Sequence, residues 1–201
     1  MANPEMWNQR YASEIYAYGK KPNTFLVQAL RYLPLGNILS LCEGEGRNAV
    51  FLAEKGYRVL AVDMSAAGIK KTHRLARERS VSVDTLVSDL SVFNIEKKYW
   101  DGIINIFCHI PASIRTDLHH KIVDGLKPDG VYIMEAYSVR QLNYQTGGPR
   151  QLELLADLAT VKEELDGLSF IKATEQERII AEGQYHTGRG AVVQIIAKKP
   201  G

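Results

Sequence analysis

The chain has 201 residues, a formal net charge of +2 and a hydrophobic content of 45%. Since a domain typically takes roughly 150 residues, this length favours one domain with a substantial core. Lys and Arg nearly balance Asp and Glu, so the composition gives no sign of the strongly basic surface typical of nucleic-acid or membrane binding. It also excludes a disordered or fibrous chain.

The N-terminal residues and the cysteines bear on the cellular location. The opening M-A-N-P-E-M-W-N-Q-R lacks the basic and then apolar pattern of a signal peptide, and no apolar run reaches the roughly 18 residues of a membrane-spanning helix. Cys42 and Cys108 each fall in an apolar stretch predicted as a strand, which argues against a disulfide and for a reducing compartment. We therefore expect a cytoplasmic protein.

From Asn37 onward, short β-branched runs alternate with longer helical patterns, as in a parallel sheet covered on both faces. The strands are predicted at 38–42, 58–63, 83–87, 102–107 and 131–136. The helices between them are predicted at 48–55, 65–79 and 111–126, and L-K-P-D-G (126–130) is predicted as a turn.

The C-terminal third has a different pattern. A loop over 141–150 and helical residues up to 165 precede two β-rich runs, 168–180 and 191–197, which are predicted to form an antiparallel pair. No repeat, low-complexity tract or linker divides the chain. We therefore predict one domain over 1–201, with an N-terminal helical cap over 1–36 and an α/β core over 37–201.

A glycine-rich turn, L-C-E-G-E-G-R-N (41–48), joins the first predicted strand to its helix. Glycines let the backbone approach a ligand closely, and the free N–H groups at the helix start can face an anion or carboxylate. Asp63 ends the next strand 17 residues after Gly46, where a carboxylate can accept hydrogen bonds from both hydroxyls of a ribose. Together, the turn and Asp63 predict a nucleoside-bearing cofactor.

Two classes of cofactor fit this arrangement. Gly44, Gly46 and Ala49 approximate the G-x-G-x-x-G pattern of dinucleotide folds. Glu43 and Glu45, however, would repel a pyrophosphate, whereas they are compatible with an amino group and a sulfonium. The turn therefore favours S-adenosylmethionine over NAD. A nicotinamide-dependent oxidoreductase and a protein that binds S-adenosylmethionine without catalysing transfer remain the alternatives.

Six segments carry a resemblance to a known family. They are E-G-E-G-R-N-A-V-F-L-A (43–53), V-L-A-V-D-M-S (59–65), S-D-L (88–90), I-F-C-H-I-P (106–111), L-K-P-D-G (126–130) and E-G-Q-Y-H-T-G (182–188). The chain resembles the class I S-adenosylmethionine-dependent methyltransferases, and within them the branch of tellurite-resistance and thiol methyltransferases. The resemblance implies a Rossmann-like α/β three-layer sandwich, with a mostly parallel seven-strand sheet and an antiparallel C-terminal strand.

The resemblance also implies roles for individual residues. Asp63 would hold the ribose, Met64 would lie against the adenine, and Asp89 with Leu90 would meet its amino edge. The full set of expected cofactor-binding residues is Glu43, Gly44, Gly46, Arg47, Asp63, Met64, Asp89, Leu90 and Phe107.

The first strand departs from the family pattern at two positions. The family's first-strand carboxylate usually stands where Ser40 is here, and the first glycine of its turn stands where Cys42 is. The contact to the methionine amino group is therefore expected to have moved to Glu43.

Methyl transfer from a sulfonium needs positioning more than it needs a metal or a strong acid, because the leaving group departs neutral. His109 follows the fourth predicted strand and is the candidate to accept a proton from a thiol or another acceptor. The alternative is a histidine that only shapes the cofactor pocket. The five histidines show no H-x-x-x-H spacing, so no metal is expected.

Two segments rich in aromatic residues and glycine, Trp7–Gly19 and Tyr137–Gly148, are predicted to close the acceptor pocket as a lid. The alternative is a pair of surface elements covering a sheet edge. Arg10 is a candidate partner for the cofactor carboxylate. The substrate and lid candidates are Trp7, Arg10, Tyr11, Tyr18, Tyr137, Tyr144, Tyr185 and His186.

The acceptor is expected to be a small molecule, since neither a basic cluster nor an additional recognition domain indicates a nucleic-acid or protein substrate. A thiol, a selenium or tellurium oxyanion and a small carboxylate all remain open. The sequence does not predict an oligomeric state.

Overall fold

The computed structural model describes residues 3–201, so residues 1 and 2 of the predicted helical cap lie outside the described part. The helices are α1 (Pro4–Tyr11), α2 (Thr24–Ala29), α3 (Arg47–Glu54), α4 (Ala66–Glu78), α5 (Ala112–Gly125) and α6 (Leu158–Glu164). The strands are β1 (Asn37–Leu41), β2 (Arg58–Asp63), β3 (Asp84–Val87), β4 (Trp100–Ile106), β5 (Leu126–Tyr137), β6 (Ser169–Glu182) and β7 (His186–Lys198). Short 3-10 turns cover Leu30–Tyr32, Val139–Asn143 and Leu152–Leu154.

The seven strands form one sheet in the order β3-β2-β1-β4-β5-β7-β6. β7 is antiparallel to both of its neighbours, β5 and β6, and the other pairs are parallel. The predicted α/β fold with an antiparallel C-terminal strand is therefore confirmed. The strand order reverses between β1 and β4, and in open α/β sheets ligands bind beyond the carboxyl ends of the strands at such a point.

Both faces of the central strands are buried, which explains why β1 and β4 are nearly continuously apolar, whereas the edge strands β3 and β6 have many exposed residues. Alternate residues of β1 point to opposite faces: Ile38 belongs to the apolar core that includes side chains of α2, α3 and α4, and Leu39 to the core that includes side chains of α5 and α6. The longest described helix, α5, has 14 residues. Among residues 3–201, no helix is long and apolar enough to span a membrane.

The predicted turn L-K-P-D-G is wrong, because these residues begin β5 instead of preceding it. Leu126 pairs with Trp100 and Val131 pairs with Gly102, so the additional residues form an irregularity between two paired positions. Asp129 lies within this irregularity at φ +67°. Pairing with β4 on both sides keeps the segment in the sheet, and that pairing is not visible in the local sequence.

The expectation of two separate cysteine thiols is also wrong. Cys42 follows the end of β1 and Cys108 follows the end of β4, and the structure joins them in a disulfide with their Cα atoms 5.3 Å apart. The physical reason is the sheet order. β1 and β4 are parallel neighbours, so their carboxyl ends lie side by side. Cysteine usage therefore gives no support for a reducing compartment.

Candidate active site

The glycine turn between β1 and α3 is held tightly against α4. Gly44 and Gly46 have φ values of +64° and +91°, a region that favours glycine. A Cβ atom on Gly46 would lie 2.7 Å from the Cα atom of Thr72 in α4, and the Thr72 hydroxyl donates to the carbonyl of Gly44 at 3.0 Å. Both glycines are thus required by the backbone and by close packing.

Glu43 connects this turn to the start of α3. Its carboxylate accepts hydrogen bonds from the backbone N–H groups of Asn48 (2.9 Å) and Ala49 (3.0 Å), and from the hydroxyl of Ser40. Burial raises the pKa of Glu43, and these hydrogen bonds partly oppose that shift. The carboxylate thus lies beside Ser40, the position that the resemblance gives to the family's first-strand carboxylate. Its contact to a methionine amino group stays a prediction.

Asp63 lies at the carboxyl end of β2 and is linked to the same turn. One carboxylate oxygen accepts from the backbone N–H of Gly44 and the other from that of Ser65, both at 2.8 Å. Burial raises its pKa, while the two hydrogen bonds lower it. Because an ionised carboxylate has about four lone-pair sites, each oxygen retains capacity for a ligand hydroxyl.

A first cavity of about 210 Å³ lies at the carboxyl ends of β1, β2 and β4. Seven of the nine expected cofactor-binding residues line it: Glu43, Arg47, Asp63, Met64, Asp89, Leu90 and Phe107. The other two, Gly44 and Gly46, shape the turn behind the wall. Sequence reasoning missed Asn48, Ser88, Ser91 and Ile110, which also line it. Their position in the chain could have predicted them, because they follow the ends of strands that meet at the same edge of the sheet.

Acidic side chains outnumber basic ones in the lining of this first cavity. Those of Glu43, Glu45, Asp63 and Asp89 face it, against the single guanidinium of Arg47, and Glu45 is itself paired with Lys71 of α4 at 2.5 Å. Such a lining favours a ligand with positive charge and disfavours a pyrophosphate.

The two terminal nitrogens of the Arg47 guanidinium differ in their contacts. Its Nη2 atom lies 2.6 Å from one carboxylate oxygen of Glu182. The other oxygen of Glu182 lies 2.8 Å from Nη2 of Arg178. Its Nη1 atom is buried and has no hydrogen-bond partner among residues 3–201. A buried donor without a partner is costly, so this atom is suited to an acceptor on a ligand such as a carboxylate.

A second cavity, of about 510 Å³, shares a wall with the first. Trp7, Tyr18, His109 and His186 line both cavities. The ring of His186 lies 4.4 Å from that of Tyr18 and 4.6 Å from that of Phe107, measured between centroids. The two cavities are therefore separated by a mainly aromatic wall.

The two histidines of this wall are neutral at physiological pH. Burial lowers the pKa of His109 to about 4, although the backbone of Leu154 opposes that shift, and neither ring nitrogen makes a hydrogen bond of good geometry in the described chain. Burial, followed by the charges of neighbouring groups including His109 and Arg47, lowers the pKa of His186 to about 2. A neutral imidazole can accept a proton or a hydrogen bond from a ligand.

The lid candidates divide into three groups. Trp7, Tyr11, Tyr18 and Gly19 of the N-terminal segment line the first cavity, whereas Arg10 lines only the second. The second cavity is also lined by Gly147, Gly148 and Tyr185.

Tyr137 and Tyr144 line neither cavity. β5 extends through Tyr137, so this side chain is fully buried behind the wall, with its ring 5.6 Å from that of His109. Tyr144 interacts with Glu177 of β6 instead. Neither residue covers a ligand site in this conformation.

In the described chain, no group of three or more His, Cys, Asp or Glu side chains is arranged to hold a metal ion.

Comparisons with known proteins agree with this geometry. Residues 38–130 match the protein family described as "Methyltransferase domain". The chain is 26% identical over 117 residues to the 2-heptyl-1-hydroxyquinolin-4(1H)-one methyltransferase of Mycobacteroides abscessus, a match that covers 57% of this chain. The chain spans about half the length of this curated relative, 52%.

Solved structures are similar over most of the chain. TehB from Haemophilus influenzae has a TM-score of 0.73 at 16% identity, covering 98% of this chain and 66% of that one. A protein that takes part in converting a disulfide bond into a thioacetal group during echinomycin biosynthesis has a TM-score of 0.76 at 16% identity, covering 98% and 91%. A SAM-dependent methyltransferase from Methanosarcina mazei has a TM-score of 0.67 at 17% identity, covering 90% and 99%.

At these identities the structural likeness shows the fold, and the family match adds the type of domain. Residues 38–130 therefore match a methyltransferase domain, within a chain that has the fold of an S-adenosylmethionine-dependent methyltransferase of known structure.

Proposed function

We propose that this protein transfers a methyl group from S-adenosylmethionine to a small-molecule acceptor. The observation that carries the proposal is the charge of the first cavity. Four carboxylates and one guanidinium surround a space at the switch point of the sheet, with Asp63 at the end of β2. This lining suits a cofactor with an ammonium and a sulfonium, and it opposes the pyrophosphate of NAD.

The residues of the first cavity fit the parts of this cofactor. Asp63 would accept hydrogen bonds from the ribose hydroxyls, and Met64, Asp89 and Leu90 would surround the adenine. The unpartnered Nη1 atom of Arg47 would receive the methionine carboxylate. When bound, S-adenosylmethionine supplies an electrophilic methyl group on a positively charged sulfur.

The second cavity is the proposed acceptor site, because it meets the first at the shared wall of Trp7, Tyr18, His109 and His186. This wall would orient the acceptor's nucleophilic atom and exclude water, which supplies most of the acceleration in a displacement reaction. His109 is the candidate to take the proton of an acceptor that has one to lose; its pKa of about 4 makes it a weaker base than an ordinary imidazole, so this role requires a pKa that rises when ligands bind.

The acceptor class is the finer part of the proposal. The name of the curated relative states a small heterocyclic substrate, which supports a small acceptor here. A thiol, a selenium or tellurium oxyanion and a small carboxylate are the acceptors to test. Location in the cytoplasm stays a proposal, and the disulfide between Cys42 and Cys108 does not support it.

Thermal unfolding with added ligands tests the cofactor. A ligand that binds only the native state raises Tm by mass action. We expect S-adenosylmethionine and its demethylated product to raise Tm, and NAD and NADP to leave it unchanged. A shift with NAD alone would overturn the proposal in favour of an oxidoreductase.

A mass-spectrometric screen with isotope-labelled cofactor then tests transfer. Candidate thiols, oxyanions and carboxylates are incubated with the full chain, and labelled methylated products are sought. Tight cofactor binding with no product from any acceptor would favour a binding protein instead of an enzyme.

A further inference from the structure

The second cavity contains one cationic side chain, that of Arg10, in a fixed position. Its guanidinium carbon lies 5.0 Å from the ring centroid of Trp7 and 4.9 Å from that of Tyr185. Its Nη1 atom donates to the hydroxyl of Tyr18 at 3.0 Å. Two rings and one hydrogen bond therefore orient the planar group within the cavity.

Arg10 has no ionic partner of its own. Among residues 3–201, no Asp or Glu oxygen lies within 4.0 Å of its guanidinium nitrogens. Glu153 is the one carboxylate that lines this cavity, and it is exposed to solvent. One hydrogen bond to Tyr18 leaves most of the five guanidinium N–H donors available to a ligand.

The two cavities thus differ in the charge that they favour. Carboxylates dominate the lining of the first, whereas the second has a half-buried guanidinium and two neutral histidines. A planar guanidinium binds a carboxylate through two parallel hydrogen bonds, and such charge-assisted pairs are among the strongest that proteins form. The flanking rings of Trp7 and Tyr185 offer flat apolar surfaces beside it.

We infer that the second cavity binds a small planar molecule with a carboxylate group, and that Arg10 is the residue that holds this carboxylate. The inference rests on the proposed function, for which such a molecule would be the methyl acceptor. It assigns Arg10 to the acceptor, in place of the expected contact to the cofactor carboxylate. The cavity volume of about 510 Å³ is within the range usual for small-molecule sites.

Calorimetry with benzoate as the probe tests this inference without any measurement of activity. Benzamide, which is planar and uncharged, is the matched ligand. We expect the full chain to bind benzoate, to bind benzamide at least tenfold more weakly, and to lose about ten- to hundredfold in benzoate affinity in Arg10→Met. Arg10→Lys keeps the charge but not the planar fork, so it should retain an intermediate affinity.

Arg31 provides a matched control variant. Its guanidinium also lies over a tyrosine ring, 4.9 Å from that of Tyr32, and donates to the hydroxyl of that residue, but it is exposed and lines neither cavity. Arg31→Met should leave benzoate affinity unchanged. Equal binding of benzoate and benzamide, or unchanged benzoate affinity in Arg10→Met, would overturn the inference.

Titration with S-adenosylmethionine separates this inference from the proposed function. Unchanged cofactor affinity in Arg10→Met supports the assignment, whereas a large loss would place Arg10 in the cofactor site and overturn it. If the unmodified chain binds no S-adenosylmethionine but binds benzoate through Arg10, the proposed function fails and the carboxylate site stands.

Discussion

His119 and His109 both have buried ring nitrogens, but their surroundings are opposite. His119 in α5 lies 2.7 Å from a carboxylate oxygen of Glu164 and 3.3 Å from the hydroxyl of Tyr132. Glu164 also accepts two hydrogen bonds from Arg115, each at 2.9 Å. His109, at the wall between the cavities, has no partner for either ring nitrogen in the described chain.

The difference separates stability from ligand binding. The group of Arg115, His119 and Glu164 satisfies its own charges and lines neither cavity, so its value is to folding. The unpartnered atoms of His109, His186 and Arg47 lie in cavity walls, where a ligand can supply what the protein does not, whereas unpartnered buried atoms such as Trp100 Nε1 and Thr174 Oγ1 line neither cavity. Buried polar groups are normally hydrogen-bonded, which makes such atoms informative.

The largest expected effect is that of Glu164→Ala. This change leaves the buried Arg115 and His119 without their carboxylate, and breaking a buried ion pair costs about 3–5 kcal/mol of unfolding free energy. Chemical denaturation measures the loss. Glu163→Ala, one residue earlier and exposed, is the control and should change stability by less than about 0.5 kcal/mol. Cofactor affinity should survive in the folded fraction, and its loss would contradict the separation of roles.

Lowering the pH should reduce the free energy of unfolding through the same group of Arg115, His119 and Glu164. Burial alone would raise the pKa of Glu164, but hydrogen bonds from His119, Arg115 and Thr116 outweigh it and lower the pKa to about 2 from an ordinary 4.5. A lowered carboxyl pKa stabilises the fold above the ordinary value, so about 3 kcal/mol should be lost as pH falls from about 4.5 towards 2.

His119 shifts the onset of this loss. Burial lowers its pKa below 6.5, so the unfolded chain takes up a proton first, and stability should begin to fall below about pH 6.5. Denaturation at a series of pH values measures the slope, which should be much flatter in Glu164→Ala between about pH 4.5 and 2, whereas the fall below about pH 6.5 that is due to His119 should persist. An equal slope in that variant would show that other groups control the acid response.

His109→Phe should have the opposite profile to Glu164→Ala. It replaces a ring with two unpartnered nitrogens by one without polar atoms, next to Phe107 and Tyr137, so stability should be unchanged or slightly higher. Methyl transfer to an acceptor that must lose a proton should fall about 100-fold. Transfer rates and Tm, both measured on the same preparation of His109→Phe, test these two expectations. Full activity would mean that His109 only shapes the wall.

The smallest expected effect is that of Asp63→Asn. The amide oxygen can still accept from one of the two backbone N–H groups, of Gly44 or Ser65, but the amide nitrogen cannot accept from the other. The charge that strengthens hydrogen bonds from the ribose is also lost, so cofactor affinity should fall about tenfold. Titration calorimetry with S-adenosylmethionine measures it. Asp84→Asn at the exposed start of β3 is the control. Equal affinity in the two variants would remove Asp63 from the cofactor site.

Much of the fold was predictable because its signals are local. The β-branched runs, the Ser65 cap that accepts from the backbone N–H of Gly68 at 3.1 Å, and the glycine turn at 44–46 each depend on a few adjacent residues. The first cavity followed from them, since parallel strand ends meet at one edge.

The parts of the fold and of the site that the sequence did not predict depend on contacts between residues that are distant in sequence. β5 begins at Leu126 because Trp100 pairs with it, and Arg115 finds Glu164 only when α5 and α6 pack together. The position of Tyr137 behind the wall likewise depends on its pairing with Val192 of β7. A single sequence carries no local mark of such contacts.

The disulfide between Cys42 and Cys108 closes a covalent ring of the backbone. All nine expected cofactor-binding residues, from Glu43 to Phe107, are inside this ring, and His109 is just outside it. The groups assigned to the acceptor, including Arg10 and Tyr185, belong to the two open arms of the chain. A protease cut anywhere within the ring would therefore leave both pieces covalently attached, whereas a single cut in either arm would leave the detached piece held only by non-covalent contacts.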